Sequence, residues 1–248
     1  MSQNEYIDFF NIKVSKVTYS TLLNLIESSI LNSNVICITY ANVNALNTLY
    51  NKKELKKLYS KFDIIHPDGI GIYLASRLLY SGNCFKERFA GNDFFPLLID
   101  KAIKNNWSFF FFGDVIDNLK KIELNYPELN VVGYHNGYSY DESLIEKIND
   151  VSSDILIVGL GSPKQEIWIQ NNRPLLNTKI ILAVGDGIKV FAGVKRRGLI
   201  IFRKLGLEWF VRVMQEPRRL WKRYVLGIPL FIIRIMKLKI LMYNHKIG

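Results

Sequence analysis

The sequence predicts an α/β protein, built on a mostly parallel, Rossmann-like sheet with helices on both faces. Strand-like and helix-like segments alternate along most of the chain, the order that places a helix between successive parallel strands. The strand-like segments are continuous apolar runs, residues 107–112 and 155–158 above all, as suits strands covered on both faces. Each run stops at a short polar or glycine-bearing turn. Ligands of such sheets bind beyond the carboxyl ends of the strands. The turns at 40–42, 66–69, 113–114, 135–137, 159–165 and 185–187 are therefore expected along one edge.

Residues 6–17 read as an edge hairpin or a strand leading in. Leu22, Leu23, Ile26 and Ile30 share one side of a helix over 19–31. A strand at 35–39 precedes a helix through Ala45, Leu46 and Leu49. A short strand at 62–65 precedes a helix over 70–79, which carries little charge and is expected to be buried. Residues 84–91 form a loop with three charges, and a helix follows over 94–103. After the strand at 107–112 come a helix near 116–125, a strand at 131–134 and a helix over roughly 141–150. The strands at 155–158 and 180–184 complete the set.

The length of 248 residues suits one α/β domain with an appendage, and half the residues are hydrophobic. Cys37 and Cys84 offer neither metal spacing nor a disulfide framework, so a reducing compartment is expected. The first ten residues do not read as a secretory signal. Charge is unevenly spread. Residues 195–248 carry 14 Lys and Arg against Glu208 and Glu216, a net of +12, which leaves 19 basic and 20 acidic residues in 1–194. The expected division is therefore a near-neutral α/β domain over 1–194, which the motifs below make the catalytic one, and a basic amphipathic appendage over 195–248. A basic tail seeks phosphate, whether of nucleic acid, an anionic membrane or a substrate. Trp221, Val225, Ile228, Ile232 and Ile235 can share one helical face. Pro229, Arg234, Lys237 and Lys239 interrupt the apolar run at 226–242, so a helix lying on anionic lipid fits better than a span. Nucleic acid does not need such an apolar stripe.

The turn after residue 158 is the densest stretch. Gly159 and Gly161 allow a sharp turn and room for a ligand, Ser162 is a natural N-cap, and Pro163 fits the first helical position. A helix start of this kind attracts phosphate. Gln165 reads either as the partner of Ser162 in a capping box or as a ligand contact. Asp68 stands between a strand and a helix, as an N-cap or as a general base kept ionised by the helix N-terminus. His66 is a rival base, and His135 sits at a neighbouring turn. Arg88 is either a surface ion pair with Glu87 or Asp93, or a phosphate clamp. Asn42 is a helix cap or a sugar contact. No residue cluster has metal-ligand spacing.

Several of these residues occur together in order: Thr39-Tyr-Ala-Asn42, Asp63-Ile-Ile-His-Pro-Asp-Gly-Ile-Gly71, Glu87-Arg-Phe-Ala-Gly-Asn-Asp93, Val158-Gly-Leu-Gly-Ser-Pro-Lys-Gln-Glu166, Phe191-Ala-Gly193, Leu205-Gly-Leu-Glu-Trp209 and Gln215-Glu-Pro-Arg-Arg-Leu-Trp221. The chain thereby resembles the WecG/TagA/CpsF glycosyltransferases, glycosyltransferase family 26, over nearly its whole length. The resemblance implies an inverting transferase that needs no metal or other cofactor. It would move a sugar, of N-acetylmannosamine type, a uronic acid or another hexose, from a UDP-sugar to a polyprenyl-diphosphate-linked saccharide. The work would be done at the cytoplasmic membrane face, in cell-surface polysaccharide synthesis. Asp68 matches the proposed base, Asn42 and Gln165 match residues lining the sugar pocket, and Arg88 matches a functional arginine. Arg212, Arg219 and Arg223 of the appendage are candidates for the diphosphate, beside Gly159, Gly161 and Ser162. Two departures mark this chain: Tyr40 stands where the family commonly has Thr, and Lys189 where it commonly has Asp. Lys189 points to an altered donor, an acidic sugar among the options. A homo-oligomer is compatible with the pattern. The competing readings are a nicotinamide-dependent oxidoreductase, which lacks a third glycine at Lys164, and a non-catalytic module bound to membrane or nucleic acid.

Overall fold

The computed structural model describes residues 5–195, 198, 202 and 206–244. Leu205, which opens one of the quoted motifs, lies outside the described residues. Strands β1 (Tyr6–Phe9) and β2 (Ile12–Ser15) form a separate antiparallel hairpin. The main sheet holds β3 (Ile36–Ala41), β4 (Ile64–Pro67), β5 (Ser108–Gly113), β6 (Asn130–His135), β7 (Ile155–Gly159) and β8 (Ile180–Ala183). Its order is β4-β3-β8-β7-β5-β6, and every pairing is parallel. The expected fold class is thus the observed one.

Side-chain alternation along each strand feeds two cores. On one face, Cys37, Phe110, Phe112, Leu156, Val158 and Ile181 meet α2 (Val43–Leu49), α3 (Lys53–Tyr59), α4 (Ile70–Leu79), α7 (Ser143–Asp150) and α8 (Lys164–Asn172), with the β1–β2 hairpin packed beside them. On the other, Ile38, Phe109, Phe111, Ile155, Ile157 and Leu182 meet α1 (Tyr19–Leu31), α5 (Gly91–Asn105), α6 (Ile116–Asn125) and α9 (Ile188–Phe191). Burying each such large side chain contributes about 1.5–3 kcal/mol, which is why the continuous apolar runs become central strands.

Two helices depart from expectation. The sequence pattern passes over α3, whose seven residues include Lys53, Glu54, Lys56 and Lys57 and bury only Tyr59. A short charged helix offers too few apolar positions for a periodic signal. Helix α4 is buried only along Ile72, Ala75 and Ser76, while Leu74 is 56% and Leu78 42% exposed. Its low charge reflects an apolar outer face rather than full burial.

The C-terminal part comprises α10 (Glu208–Gln215), α11 (Pro217–Trp221), a π-helical stretch Lys222–Leu226 and α12 (Gly227–Asn244). Helix α12 docks on α2 and α4. Phe231 and Ile235 enter the core, Arg234 Nη1 donates to Asn47 O and Oδ1 at 3.0 and 2.9 Å, and its guanidinium lies 4.0 Å from the Tyr50 ring centroid. The expected single stripe survives only within α12, where Ile228, Ile232 and Ile235 line one hollow, while Trp221 and Val225 are exposed outside it. The π turn adds residues to the helical repeat between Trp221 and α12, which rotates the two ends out of register. Among the described residues, no helix is long and apolar enough to cross a membrane.

Candidate active site

Strands β3 and β8 are neighbours, yet α2 leaves β3 toward one face and α9 leaves β8 toward the other. That divergence opens a crevice at their carboxyl ends, the place where ligands of open parallel sheets bind. A polar cleft of about 250 Å³ occupies it. Tyr40 and Asn42 enter from β3, His66 and Asp68 from the end of β4, Gly161 and Ser162 from the turn after β7, and Asp186 from the turn after β8.

Asp68 is held from two sides. Its Oδ1 accepts from the Gly91 N–H at 3.0 Å, the first residue of α5, and its Oδ2 accepts from Asn42 Nδ2 at 3.3 Å. It does not cap its own following helix, since the N-cap of α4 is Gly69 at φ +92°. The positive end of α5 thus favours the carboxylate. Asn42 does cap α2, with Oδ1 accepting from the Ala45 N–H at 2.9 Å, and so fixes its amide toward Asp68. His66 is buried, and its Nδ1 pairs with Pro67 O at 2.9 Å. Burial lowers its pKa, against the Pro67 hydrogen bond and the Asp68 charge, so the ring is neutral near pH 7. His135 ends β6 at the sheet's edge, pairs with Asn136 O at 2.9 Å and is not brought to the cleft.

The turn after β7 corrects several expectations. Helix α8 begins at Lys164, and Ser162 does not cap it. The Ser162 hydroxyl pairs instead with Tyr59 OH at 2.8 Å. The two glycines differ. An added Cβ at Gly159 would meet Ile188 at 2.8 Å, so this glycine serves packing and gives no ligand room. Gly161, at φ +81°, faces open cleft. The glycine pattern therefore builds no dinucleotide cradle. Gln165 is fully buried and makes no capping box. Its Oε1 accepts from the Gly185 N–H at 2.8 Å and its Nε2 donates to Glu166 Oε1 at 2.9 Å, which also accepts from Thr39 Oγ1 at 2.9 Å. Gln165 thus shapes the β8 turn from behind the cleft. The Tyr40 hydroxyl lies beside this group, and burial, with the charges of Glu166 and Asp68, raises its pKa and keeps it a neutral donor.

Cations close the cleft from above. Arg212, Arg219 and Arg223 reach it from the C-terminal helices, as expected, and Lys195 joins them from the segment after α9. Glu208 Oε1 accepts from Arg212 Nη2 at 3.1 Å and from Asn92 Nδ2 at 2.8 Å, tying α10 to the start of α5. Burial opposes the Arg212 charge, but Glu208, Tyr224 and Asp68 outweigh it and raise the pKa. Arg223 Nε is buried without a hydrogen-bond partner among the described residues. Lys189 is not among the described residues that line this cleft, and its Nζ stands 3.8 Å from Asp186 Oδ1. Asp186, Lys195 and Glu208 were not singled out as candidates from the sequence. Glu208 lies inside a quoted motif, but Asp186 and Lys195 carried no signal beyond a turn and a charge.

A second, larger hollow of about 400 Å³ adjoins the first and is mostly apolar. Leu74 and Leu78 of α4 form one wall, and Ile228, Ile232 and Ile235 of α12 with its preceding turn form the other. Arg88 lines it, its Nη1 lying 3.2 Å from where a Cβ on Gly206 would stand. Asn42, Asp68, Arg212 and Arg223 border both hollows. Among the described residues, no group of three or more His, Cys, Asp or Glu is placed to hold a metal ion.

Known proteins match this architecture. The glycosyl transferase WecG/TagA/CpsF family matches residues 7–245. A protein of Bacillus subtilis (strain 168) is 36% identical over 183 residues, covering 72% of this chain and 70% of its own. One of Bacillus spizizenii is 32% identical over the same shares. One of Staphylococcus aureus (strain MW2) is 27% identical over 96% of this chain and 95% of its own. All three are named N-acetylglucosaminyldiphosphoundecaprenol N-acetyl-β-D-mannosaminyltransferase. With a match over nearly every described element, this chain belongs to the WecG/TagA/CpsF family of glycosyltransferases.

Proposed function

We propose that this glycosyltransferase moves a sugar with inversion from a UDP-sugar to a polyprenyl-diphosphate-linked saccharide, as a peripheral protein at the cytoplasmic membrane face. N-acetylmannosamine is the first donor sugar to test, and N-acetylglucosaminyl-diphospho-undecaprenol the first acceptor, because the relatives' names specify them. One observation carries the reading: Asp68 stands where a polar, cation-lined cleft meets an apolar groove. The cleft suits a nucleotide diphosphate, the groove suits the first isoprene units, and the acceptor sugar would lie between them beside the carboxylate.

In this reading Asp68 takes the acceptor hydroxyl's proton as that oxygen attacks the anomeric carbon. Asn42 and the α5 N-terminus hold the carboxylate in place. The departing diphosphate develops negative charge, which the guanidinium groups of the C-terminal helices stabilise from the rim of the cleft. Those cations can do what a divalent ion does elsewhere, and the reaction is expected to proceed in EDTA.

The test is transfer by purified full-length protein from a panel of UDP-sugars to a synthetic polyprenyl-diphosphate-linked N-acetylglucosamine, with EDTA present. Turnover with one donor and an α-to-β change at its anomeric carbon is expected. A retained configuration, or dependence on added metal, would overturn the mechanism. The absence of turnover with every donor would overturn the substrate class.

A further inference from the structure

Lys195 belongs to no motif quoted above, yet its side chain is largely enclosed where it lines the polar cleft. Gly193, at φ +65°, turns the chain after α9, and the backbone N–H groups of Val194 and Lys195 both donate to Lys189 O at 3.1 Å. The base of the side chain is thereby fixed. The side chain is 12% exposed, and Nζ donates to Asp186 Oδ2 at 2.7 Å and to Asp186 O at 3.4 Å. Those contacts use two of its three N–H groups. A purely structural ion pair has no need to face a ligand cleft beside other cations. Here Lys195, Arg212, Arg219 and Arg223 line the cleft against Asp68 and Asp186. Glu208 and Glu216 pair with Arg212 and Arg219 from outside the cleft, and the four cations converging on one cleft suit an anionic group.

We propose that Lys195 binds the donor's diphosphate and stabilises the departing nucleoside diphosphate, and that Asp186 is the positioning carboxylate that aims it. This rests on the cleft being the nucleotide-sugar site. As the anomeric C–O bond breaks, its electron pair passes to the diphosphate oxygen. The acceptor oxygen forms the new bond, and its proton goes to Asp68. Lys195 keeps its proton throughout and contributes charge.

The surroundings agree. Burial and the neighbouring Arg212 push the Lys195 pKa down to about 8, against the pull of Asp186 and Glu208. Lys189 of α9 and Arg219 of α11 face Asp186 as well, at 3.8 and 3.9 Å. Since the pKa lies below that of a free lysine, the charge is present below about pH 8 and is lost as pH rises through it. A bound diphosphate should raise that pKa.

Calorimetric titration of the full-length protein with UDP and with uridine, at pH 7 and pH 9, tests the proposal. Lys195→Met is expected to weaken UDP binding about 10- to 100-fold while leaving uridine binding unchanged, as for loss of one charged hydrogen bond. Lys195→Arg should restore most of the loss. Wild-type affinity for UDP should fall about tenfold from pH 7 to pH 9, and the Met variant's should not. Asp186→Asn should move the alkaline fall to lower pH, because Lys195 loses the charge that supports its proton. Undiminished UDP binding by Lys195→Met, or equal loss of UDP and uridine in both Lys195 variants, would overturn the proposal while the cleft stayed the nucleotide site. A wild-type protein that binds no UDP would overturn both.

Discussion

The two hollows that meet at Asp68 are built in opposite ways. The polar cleft gathers short turns from four neighbouring strands, β4, β3, β8 and β7, and is closed by cations from the C-terminal helices. The apolar groove has two long walls, α4 and α12, with Arg88, Arg212 and Arg223 also lining it. The contrast teaches how one carboxylate can serve two chemically unlike substrates. Backbone turns and fixed charges recognise a small, highly charged group. Exposed leucines and isoleucines on helices recognise a chain that has only apolar surface to offer. Asp68 borders both because its strand ends at the cleft and its loop runs into α4.

The largest effect should come from the shared residue. Asp68→Asn keeps the hydrogen bond from Gly91 but cannot take a proton. Transfer should fall about 10²- to 10⁴-fold with UDP binding nearly unchanged, measured by initial rates and calorimetry on one preparation. A variant with wild-type turnover would move the base to His66, the rival base that also lines the cleft.

Next, the groove can be separated from the cleft. Leu74→Ser changes an exposed position and should leave folding intact. It should raise the KM for a long-chain acceptor about 10- to 100-fold, from the loss of about 1.5–3 kcal/mol of apolar contact. The KM for the donor and for a short-chain acceptor should stay level. Equal effects on short and long acceptors would remove the groove from lipid recognition.

A smaller effect tests how the groove's second wall is held. Arg234→Ala removes two hydrogen bonds to Asn47 and the contact with Tyr50. A loss of about 1–3 kcal/mol should lower the Tm by about 2–4 °C for each kcal/mol in a chain of this size. An unchanged Tm would mean that Phe231 and Ile235 suffice to dock α12.

The smallest contrast lies within the cleft. Gly159→Ala should destabilise the fold by about 1–3 kcal/mol through its clash with Ile188, with UDP affinity retained once folded. Gly161→Ala strains the backbone by about 1–3 kcal/mol but adds a methyl to open cleft, so UDP binding should weaken. Thermal shifts in the presence and absence of UDP separate the two, and identical responses would erase the distinction between packing and ligand glycines.

Most of the sheet was legible in the sequence because central parallel strands must be apolar on both faces. The runs at 107–112, 155–158 and 180–184 could hardly be anything else. Helix α1 was legible because its apolar spacing is regular, and the structure adds the Thr18 cap, which accepts from the Thr21 N–H. Helix α3 was not, since four charges in seven residues hide its one buried face. Within the site, Asp68, Asn42, Ser162 and the C-terminal arginines were found by their turns and motifs. Gln165 was singled out as a cap or a ligand contact, and the capping box is not formed, because a capping box and a buried network use the same residue types at the same spacing.

The sequence by itself determined the α/β class, the edge at which ligands gather, the basic character of the C-terminal part and the family. These follow from local periodicity, turn chemistry and motif order, which do not depend on distant partners. Only the tertiary structure decided which polar groups face one another. It showed that Asp68 takes its N–H from α5 and not α4, and that Gly159 packs while Gly161 opens. It also showed that Asp186 and Lys195 form a pair in the cleft, and that α4 and α12 leave a groove between them. Each of these depends on residues from different elements meeting at a distance of a few ångströms, and the spacing of residue types along a chain carries no such information.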